Sequence, residues 1–357
     1  MIKKVIIATH SFSPGTAQAF CDYCVSKKFD VLFIEHSLFG NMFSWVFGAF
    51  DTLWQVFKRR KKYDLYVGSN RLNTVVGIVL KNAGLVEKVV YFSPDWSKNR
   101  FNNRLLNSIF QKLDYFCLKY SDIVWNSSTI MPIDPMMKER EKLGYPKEWR
   151  KKQIQVSDGC DLQPIPSFGI INRYQIGYVG HLVKHCGIQL AIDAFPSIVQ
   201  EFSQAKLLII GSGPMKEELR KKAQGLNIEF TGFMGNIKQV YKRLSMCAFA
   251  IAPYEESRET ISQFTDPGKV KNYFSIGLPV IITKVPQIAY EVDKEKCGIA
   301  IRYDAKEFID ATLSLLRNEN KLKECRKNVL KLRKKYSWDN IFDRALCYTD
   351  RVIYEKK

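Results

Sequence analysis

The chain has no apolar run of about 18 residues, the length a helix needs to cross a bilayer, so no transmembrane segment is expected. It opens Met-Ile-Lys-Lys-Val-Ile-Ile, which reads as a strand and not as a cleaved leader. Acidic residues are scarce: 36 Asp and Glu stand against 55 Lys and Arg, for a net charge of +19. The imbalance is global. Residues 1–165 carry 24 Lys and Arg against 15 Asp and Glu, and the rest of the chain has the same excess to within one charge. Such a balance favours anionic partners (phosphates, nucleic acid or an acidic bilayer) without choosing among them. Cysteine offers no framework either. There are nine, an odd number, and Cys21 and Cys24 form the one CxxC, with no second pair to complete a zinc site. Their spacing suits neighbouring turns of one helix, and they read as reduced thiols of a cytosolic protein. The first strand lacks a following G-x-G-x-x-G, which argues against a nicotinamide-dependent enzyme. No RNA- or DNA-binding motif is present, and the basic clusters are dispersed, which argues against nucleic acid as the partner. Internal repeats and low-complexity tracts are also missing.

What is present is a repeated alternation of strands and helices. At 357 residues and 46% hydrophobic, the chain can build two cores. Val5–Ala8, Asp30–Ile34, Leu65–Val67, Lys88–Phe92, Ile123–Trp125 and Gln153–Val156 read as strands, with helices over Asn73–Asn82 and Asn102–Tyr120. This is βαβ logic and a parallel sheet. Pro132 to Lys152 is polar, charged and proline-bearing, and reads as a surface excursion. Gln163 to Gly169 has the composition of a linker. The expected division is an N-terminal domain over 1–165, a second domain over 166–338, and a final helix over 339–357 packing back on the first.

The second half holds the residues that suggest chemistry. Strand Gln175–Val179 runs into Gly180-His-Leu-Val-Lys-His-Cys-Gly187, and strand Lys206–Ile210 runs into Gly211-Ser-Gly-Pro214. Then come Ile228-Glu-Phe-Thr-Gly-Phe233 and Asp266-Pro-Gly-Lys-Val-Lys-Asn272, before strand Val280–Thr283. Glycine turns at the carboxyl ends of parallel strands are where an open α/β sheet puts a ligand. Exposed amides at the 180–187 junction are expected to hold a diphosphate, with Lys184 adding charge. Asp266 reads as a helix N-cap and Pro267 as the first helical residue. Lys269 then sits at the positive end of the helix dipole, where it does nothing for the helix, so it is assigned to an anionic ligand. Tyr273 reads as core. His181 and His185 are spaced i, i+4, but no carboxylate or cysteine completes a zinc site.

These motifs together resemble the nucleotide-sugar-binding domain of a GT-B glycosyltransferase, most closely glycosyltransferase family 4. The family's Gly-Arg-Leu…Lys-Gly loop stands here as Gly180 to Gly187, its Gly-x-Gly-Pro turn as Gly211 to Pro214, and its Phe-x-Gly-Phe segment as Phe230 to Phe233. Its helix and strand ending Gly-x-Pro-Val appear as Asn272 to Val280, and Ser157-Asp-Gly-Cys-Asp161 is similar to its crossover between domains. The resemblance spans about residues 153 to 340. It implies an α/β fold of GT-B type, two Rossmann-like domains facing a central cleft, and metal-independent sugar transfer from a nucleotide sugar with retention. The donor-binding positions are then Gly15, Gly180, His181, Lys184, Gly211, Gly213, Gly232, Phe233, Asp266, Lys269 and Asn272, with Lys184 and Lys269 taken from their own charge and placement and not from the family pattern. Asp95 falls at the family's polar His-Asp position of the first domain, and His10 is the other catalytic candidate there. No metal and no cofactor beyond the donor substrate are expected. The chain departs from the family pattern where His181 replaces an Arg, Cys186 a Lys and Asn272 a carboxylate. A degenerate scaffold of the same fold and a basic nucleic-acid-binding protein are the alternatives.

One further stretch points to a membrane. Phe39, Phe43, Val46, Phe47, Phe50, Leu53, Trp54 and Phe57 form one helical stripe, with Met42, Trp45, Ala49 and Val56 beside it. Lys58-Arg-Arg-Lys-Lys62 follows directly. Aromatics joined to a basic cluster suit an acidic bilayer surface, each charge adding on the order of 1 kcal/mol. The expectation is a cytoplasmic protein, peripheral on the inner face of the cell membrane, docking through Phe39–Lys62 to reach a lipid-linked acceptor.

Overall fold

A computed structural model describes residues 2–10, 15–36, 42–93, 96, 98–127, 133–164, 172–255 and 267–354. The chain divides into two compact units, Met1–Asp158 with Trp338–Lys357, and Gly159–Ser337.

The first unit alternates β1 (Lys4–His10), α1 (Thr16–Ser26), β2 (Asp30–His36), α2 (Met42–Arg59), β3 (Tyr63–Ser69), α3 (Arg71–Asn82), β4 (Val86–Ser93), α4 (Arg104–Tyr120), β5 (Ile123–Ser127), α5 (Ile133–Glu141) and β6 (Gln153–Val156). Its strands form one parallel sheet in the order β2-β1-β3-β4-β5-β6. Val5, Ile6, Ile7 and Ala8 are all buried, as expected of a parallel strand covered on both faces.

The second unit carries β7 (Asn172–Val179), α6 (Ile188–Glu201), β8 (Lys206–Ile210), α7 (Lys216–Lys222), β9 (Ile228–Gly232), α8 (Ile237–Ser245), β10 (Cys247–Ala252), α9 (Gly268–Ser275), β11 (Val280–Thr283), α10 (Ile288–Lys294), β12 (Gly298–Ile301), α11 (Ala305–Arg317) and α12 (Glu319–Leu332). Its parallel sheet runs β12-β11-β10-β7-β8-β9. The last helix, α13 (Trp338–Tyr354), belongs to the first unit. Its Ile341, Phe342, Ala345 and Leu346 join the core built by α1 and β5, where Phe342 and Phe20 rings lie 5.0 Å apart.

Both sheets are doubly wound and parallel, the second in the Rossmann order and the first in a flavodoxin-like order with one strand added, and the α/β class expected from the sequence is found. Three local readings differ. The stretch 132–152 is no surface excursion: it holds α5, whose Ile133, Met136, Met137 and Arg140 are buried. A charged segment can be buried there because Arg140 is paired with Asp114 of α4 at 3.0 Å. Strand β10 was not expected, because Cys-Ala-Phe-Ala-Ile-Ala has few β-branched residues; every one of its residues is nonetheless buried, between β7 and β11. Helix α9 starts at Gly268 with Pro267 as its cap, one residue later than read, while Asp266 lies outside the described residues. Eight of the nine cysteines are buried free thiols, Cys24 being pushed up to about 12 by burial. Among the described residues, no helix is long and apolar enough to cross a membrane.

Candidate functional site

In the second unit, the turns after β7, β8 and β9 meet. Gly180 donates its amide to the Ile210 carbonyl at 3.0 Å, and Gly211 donates to the Gly232 carbonyl at 2.9 Å. Leu182 donates to Ser212 at 3.0 Å, and Met215 donates back to Leu182 at 3.1 Å. The turns touch backbone to backbone: a Cβ on Gly211, which has φ +148°, would lie 1.9 Å from the Gly180 carbonyl oxygen. A Cβ on Gly187, φ +71°, would lie 1.6 Å from the Pro253 carbonyl oxygen. Glycine is required at both positions. The structure therefore brings Gly180, Gly211, Gly213 and Gly232 together, and Phe233 follows with 80% of its surface exposed.

The expectation of exposed amides along the 180–187 loop is narrowed: those of Gly180, Leu182, Cys186 and Gly187 are hydrogen-bonded to backbone carbonyls. Gly180 and Leu182 thereby lock two turns against one another, while Cys186 and Gly187 close a local turn on Val183 and Lys184. Positive charge arrives from α9 instead. Lys269 is half-buried, with its ammonium 2.7 Å from where a Gly180 Cβ would stand. It lies 3.4 Å from the Tyr178 hydroxyl and 4.7 Å above the rings of both Tyr178 and Tyr254. Desolvation lowers its pKa, while Cys186 beside it works the other way. The cation thus sits against residue 186, where the family pattern has a lysine and this chain a cysteine. Gly268 and Lys269 are in the first helical turn, so their amides have no intrahelical partner and point out at the dipole's positive end.

The other assigned residues are placed as follows. His181 and Lys184 are exposed on the loop, Lys184 within a 3-10 turn over Lys184–Cys186. Asn272 lies one turn beyond Lys269, and its side-chain oxygen accepts from the Tyr241 hydroxyl of α8 at 3.1 Å. Tyr273 is core, as expected: its hydroxyl accepts from the Val179 amide at 3.0 Å and donates to the Ile251 carbonyl at 3.2 Å, tying α9 to β7 and β10. The sequence reading missed Tyr178 and Tyr254, the two rings that frame Lys269. Glu255 sits just after β10. Its amide donates to the His185 carbonyl at 3.1 Å, and its carboxylate accepts from Gln189 at 3.2 Å.

In the first unit, His10 ends β1 opposite His36 of β2, with ring centroids 5.1 Å apart. It is buried, and a Cβ on Gly48 of α2 would meet its Nε2 at 2.6 Å. Burial first, then His36, push its pKa down to about 4, against a hydrogen bond with Asn73 that raises it. His10 is therefore neutral at pH 7. An unfolded histidine binds its proton near pH 6.5, so the stability tied to neutral His10 is complete above that pH and is lost as pH falls toward 4. After allowance for screening, a loss of about 1–2 kcal/mol is expected between pH 7 and pH 4.5. Urea unfolding of the wild type and His10→Gln over that range checks it; equal pH slopes in the two proteins would contradict the assignment. Gly15 is the exposed cap residue of α1, and Asp95 lies outside the described residues.

Comparison with known proteins agrees with this geometry. Residues 173–318 match the family model described as Glycosyl transferases group 1. A GDP-mannose-dependent alpha-(1-6)-phosphatidylinositol dimannoside mannosyltransferase of Mycobacterium tuberculosis is 35% identical over 79 residues, 20% of this chain and 21% of that enzyme. The chain thus matches about a fifth of that relative's length. Among solved structures, Anabaena HepE in complex with UDP superposes with a TM-score of 0.68 at 14% identity, covering 97% of this chain and 99% of that one. Sucrose-phosphate synthase of Thermosynechococcus elongatus gives 0.66 at 13% identity, with 99% of both chains covered. These likenesses establish the GT-B fold, the architecture of both units.

Proposed function

We propose that this GT-B chain, similar over residues 173–318 to the group 1 glycosyltransferases, moves a sugar from a nucleotide-sugar donor to a lipid-linked saccharide or glycolipid at the cytosolic membrane face, with retention. The observation that carries the reading is a coincidence of positions. The stretch matched by the family model contains the turns at 180, 211 and 232, joined backbone to backbone, and the start of α9, whose Lys269 stands against Gly180. A leaving diphosphate develops negative charge as the sugar departs. The first-turn amides of α9 and the Lys269 ammonium supply fixed positive charge for it without reorganisation. The reading needs no metal. Phe233, exposed beside Gly232, offers a ring for the nucleobase. UDP and GDP are the nucleotides of first choice, since UDP is bound by HepE and GDP-mannose is used by the mycobacterial relative.

Docking is assigned to α2. Gly48, Thr52 and Val56 face the core, while Phe47 (77% exposed), Phe50, Trp54 (60%) and Phe57 face outward. Lys58 lies over the Trp54 ring at 4.8 Å, at the start of the basic run to Lys62. Phe39 lies outside the described residues, and Phe43 and Trp45 have no described side chains.

Thermal unfolding against a panel of UDP-, GDP-, ADP- and CMP-sugars tests the donor assignment. A ligand at about 100 times its Kd stabilises by about 2.7 kcal/mol, so one nucleotide class is expected to raise Tm by several degrees. If every sugar nucleotide leaves Tm unchanged while DNA binds with steep salt dependence, the reading fails in favour of a nucleic-acid-binding protein.

A further inference from the structure

A second face of the first unit combines charge with exposed apolar surface. Helix α4 carries Arg104, Ser108, Lys112, Tyr115 and Lys119 along one stripe, at spacings of three and four residues. With Lys98 and Tyr145 they line a groove of about 650 Å³. Its thirteen lining residues include four cations and no carboxylate. The floor is aromatic: Tyr115 packs against Tyr145 at 5.2 Å and Trp149 at 4.9 Å. Lys119 lies 5.1 Å from the Tyr120 ring.

The adjoining stripe of the same helix is Leu105, Ile109, Phe116 and Tyr120, all exposed, Leu105 at 69%. The opposite face, with Phe110, Asp114, Cys117 and Leu118, provides the buried contacts. Helix α4 therefore has a core side, a cationic side and an apolar side facing solvent. A soluble anion would satisfy the cations and leave the leucines wet. A nucleic-acid duplex would do the same. An anionic phospholipid satisfies both, its phosphate in the groove and its acyl region against Leu105 and Ile109.

The position of α4 supports that occupant. Helix α3 packs against both α2 and α4. Right-handed crossovers along the strand order put α2, α3 and α4 in one layer. We infer that α4 is a second lipid-binding element, whose cationic groove takes the phosphate of an anionic lipid while α2 inserts its aromatics. This rests on the reading of α2 as the docking helix.

Co-sedimentation of the full chain with phosphatidylcholine vesicles, and with phosphatidylcholine–phosphatidylglycerol vesicles, tests it. Each charge near an anionic surface contributes roughly fivefold in affinity. Lys112→Ala/Lys119→Ala is therefore expected to weaken binding to the mixed vesicles by about tenfold or more, with little change on phosphatidylcholine. Leu105→Ser/Ile109→Ser should weaken binding to both. These positions are exposed, and unchanged Tm of the variants confirms that they fold. If both α4 variants bind like the wild type while Phe50→Ser/Trp54→Ser loses binding, the α4 assignment falls and the α2 reading stands. If the wild type ignores both vesicles, both fall. If inorganic phosphate or duplex DNA at matched ionic strength competes the vesicles off completely, the site is for a soluble anion and the lipid assignment is overturned.

Discussion

Lys269→Met is expected to cut sugar-nucleotide turnover by about 10²-fold or more, the usual cost of removing one preorganised charge stabiliser. Three features single out this lysine. Its ammonium is held between two tyrosine rings, close against Gly180, and beside Cys186. Among the described residues, no carboxylate pairs with it. Methionine keeps most of the volume and loses only the charge, so Tm without ligand should change little. Arginine should not rescue, because a planar guanidinium is larger than the slot left by a residue without a side chain at 180. A pH signature accompanies the rate effect. Burial lowers the lysine's pKa below the ordinary value of 10.5, so donor affinity should decline on the alkaline side sooner than an unperturbed lysine would allow. Steady-state kinetics and nucleotide titrations across alkaline pH give both readouts. Turnover and affinity unchanged in Lys269→Met would remove the residue from the site. Wild-type nucleotide binding without turnover against any acceptor would favour a degenerate scaffold.

The turns of this site were legible in the sequence because glycine is forced wherever two backbones touch. Gly180, Gly211 and Gly187 each end an apolar strand or loop at the sheet's carboxyl edge, and their spacing carries that information. What those glycines do was not legible. A glycine-rich loop reads as a set of free amides, yet here the Gly180 and Leu182 amides go to Ile210 and Ser212, a pairing across residues far apart in the chain, while those of Cys186 and Gly187 close on Val183 and Lys184 of the same loop. The same holds for the cation. Position 186 is a cysteine where the resembled pattern has a lysine, and the ammonium beside it belongs to Lys269 of α9, so a local motif comparison registers only the difference at 186.

The helices of the first unit show a similar division. Strands buried on both faces announce themselves by continuous apolar runs, as Val5 to Ala8 does. Helices announce only that an apolar stripe exists, not which side it faces. On α2 the small residues Gly48, Ala49 and Thr52 face the sheet and the large aromatics face outward. On α4 Leu105 and Leu106 are exposed, while Phe110, Cys117 and Leu118 fill the buried contact.

Asp114→Ala is expected to destabilise the first unit by about 3–5 kcal/mol, the cost of leaving buried charge uncompensated. Asp114 is fully buried on α4. It pairs with Arg140 of α5 at 3.0 Å and with Arg71, the first residue of α3, at 3.3 Å. It also accepts from the Tyr91 hydroxyl at 2.8 Å and the Tyr145 hydroxyl at 3.3 Å. One carboxylate thus fixes three helices and a strand, and it is why a segment as charged as Ile133–Glu141 can pack inside. Removing it takes the carboxylate away from two buried guanidinium groups, Arg140 with no exposed surface at all. Asp114→Asn keeps the shape and an acceptor for Tyr91 but not the charge, so it should cost nearly as much as alanine if charge pairing dominates. If hydrogen bonding dominates, asparagine should recover most of the loss. Urea midpoints of the two variants separate these cases, and a loss under about 1 kcal/mol for Asp114→Ala would show that the network adds little. Because Lys269 and the glycine turns proposed to hold the donor lie within Gly159–Ser337, the Tm shift given by the bound nucleotide is expected to survive in Asp114→Asn. Its survival alongside weakened vesicle binding would assign Asp114 to holding α4 in place and not to the donor chemistry.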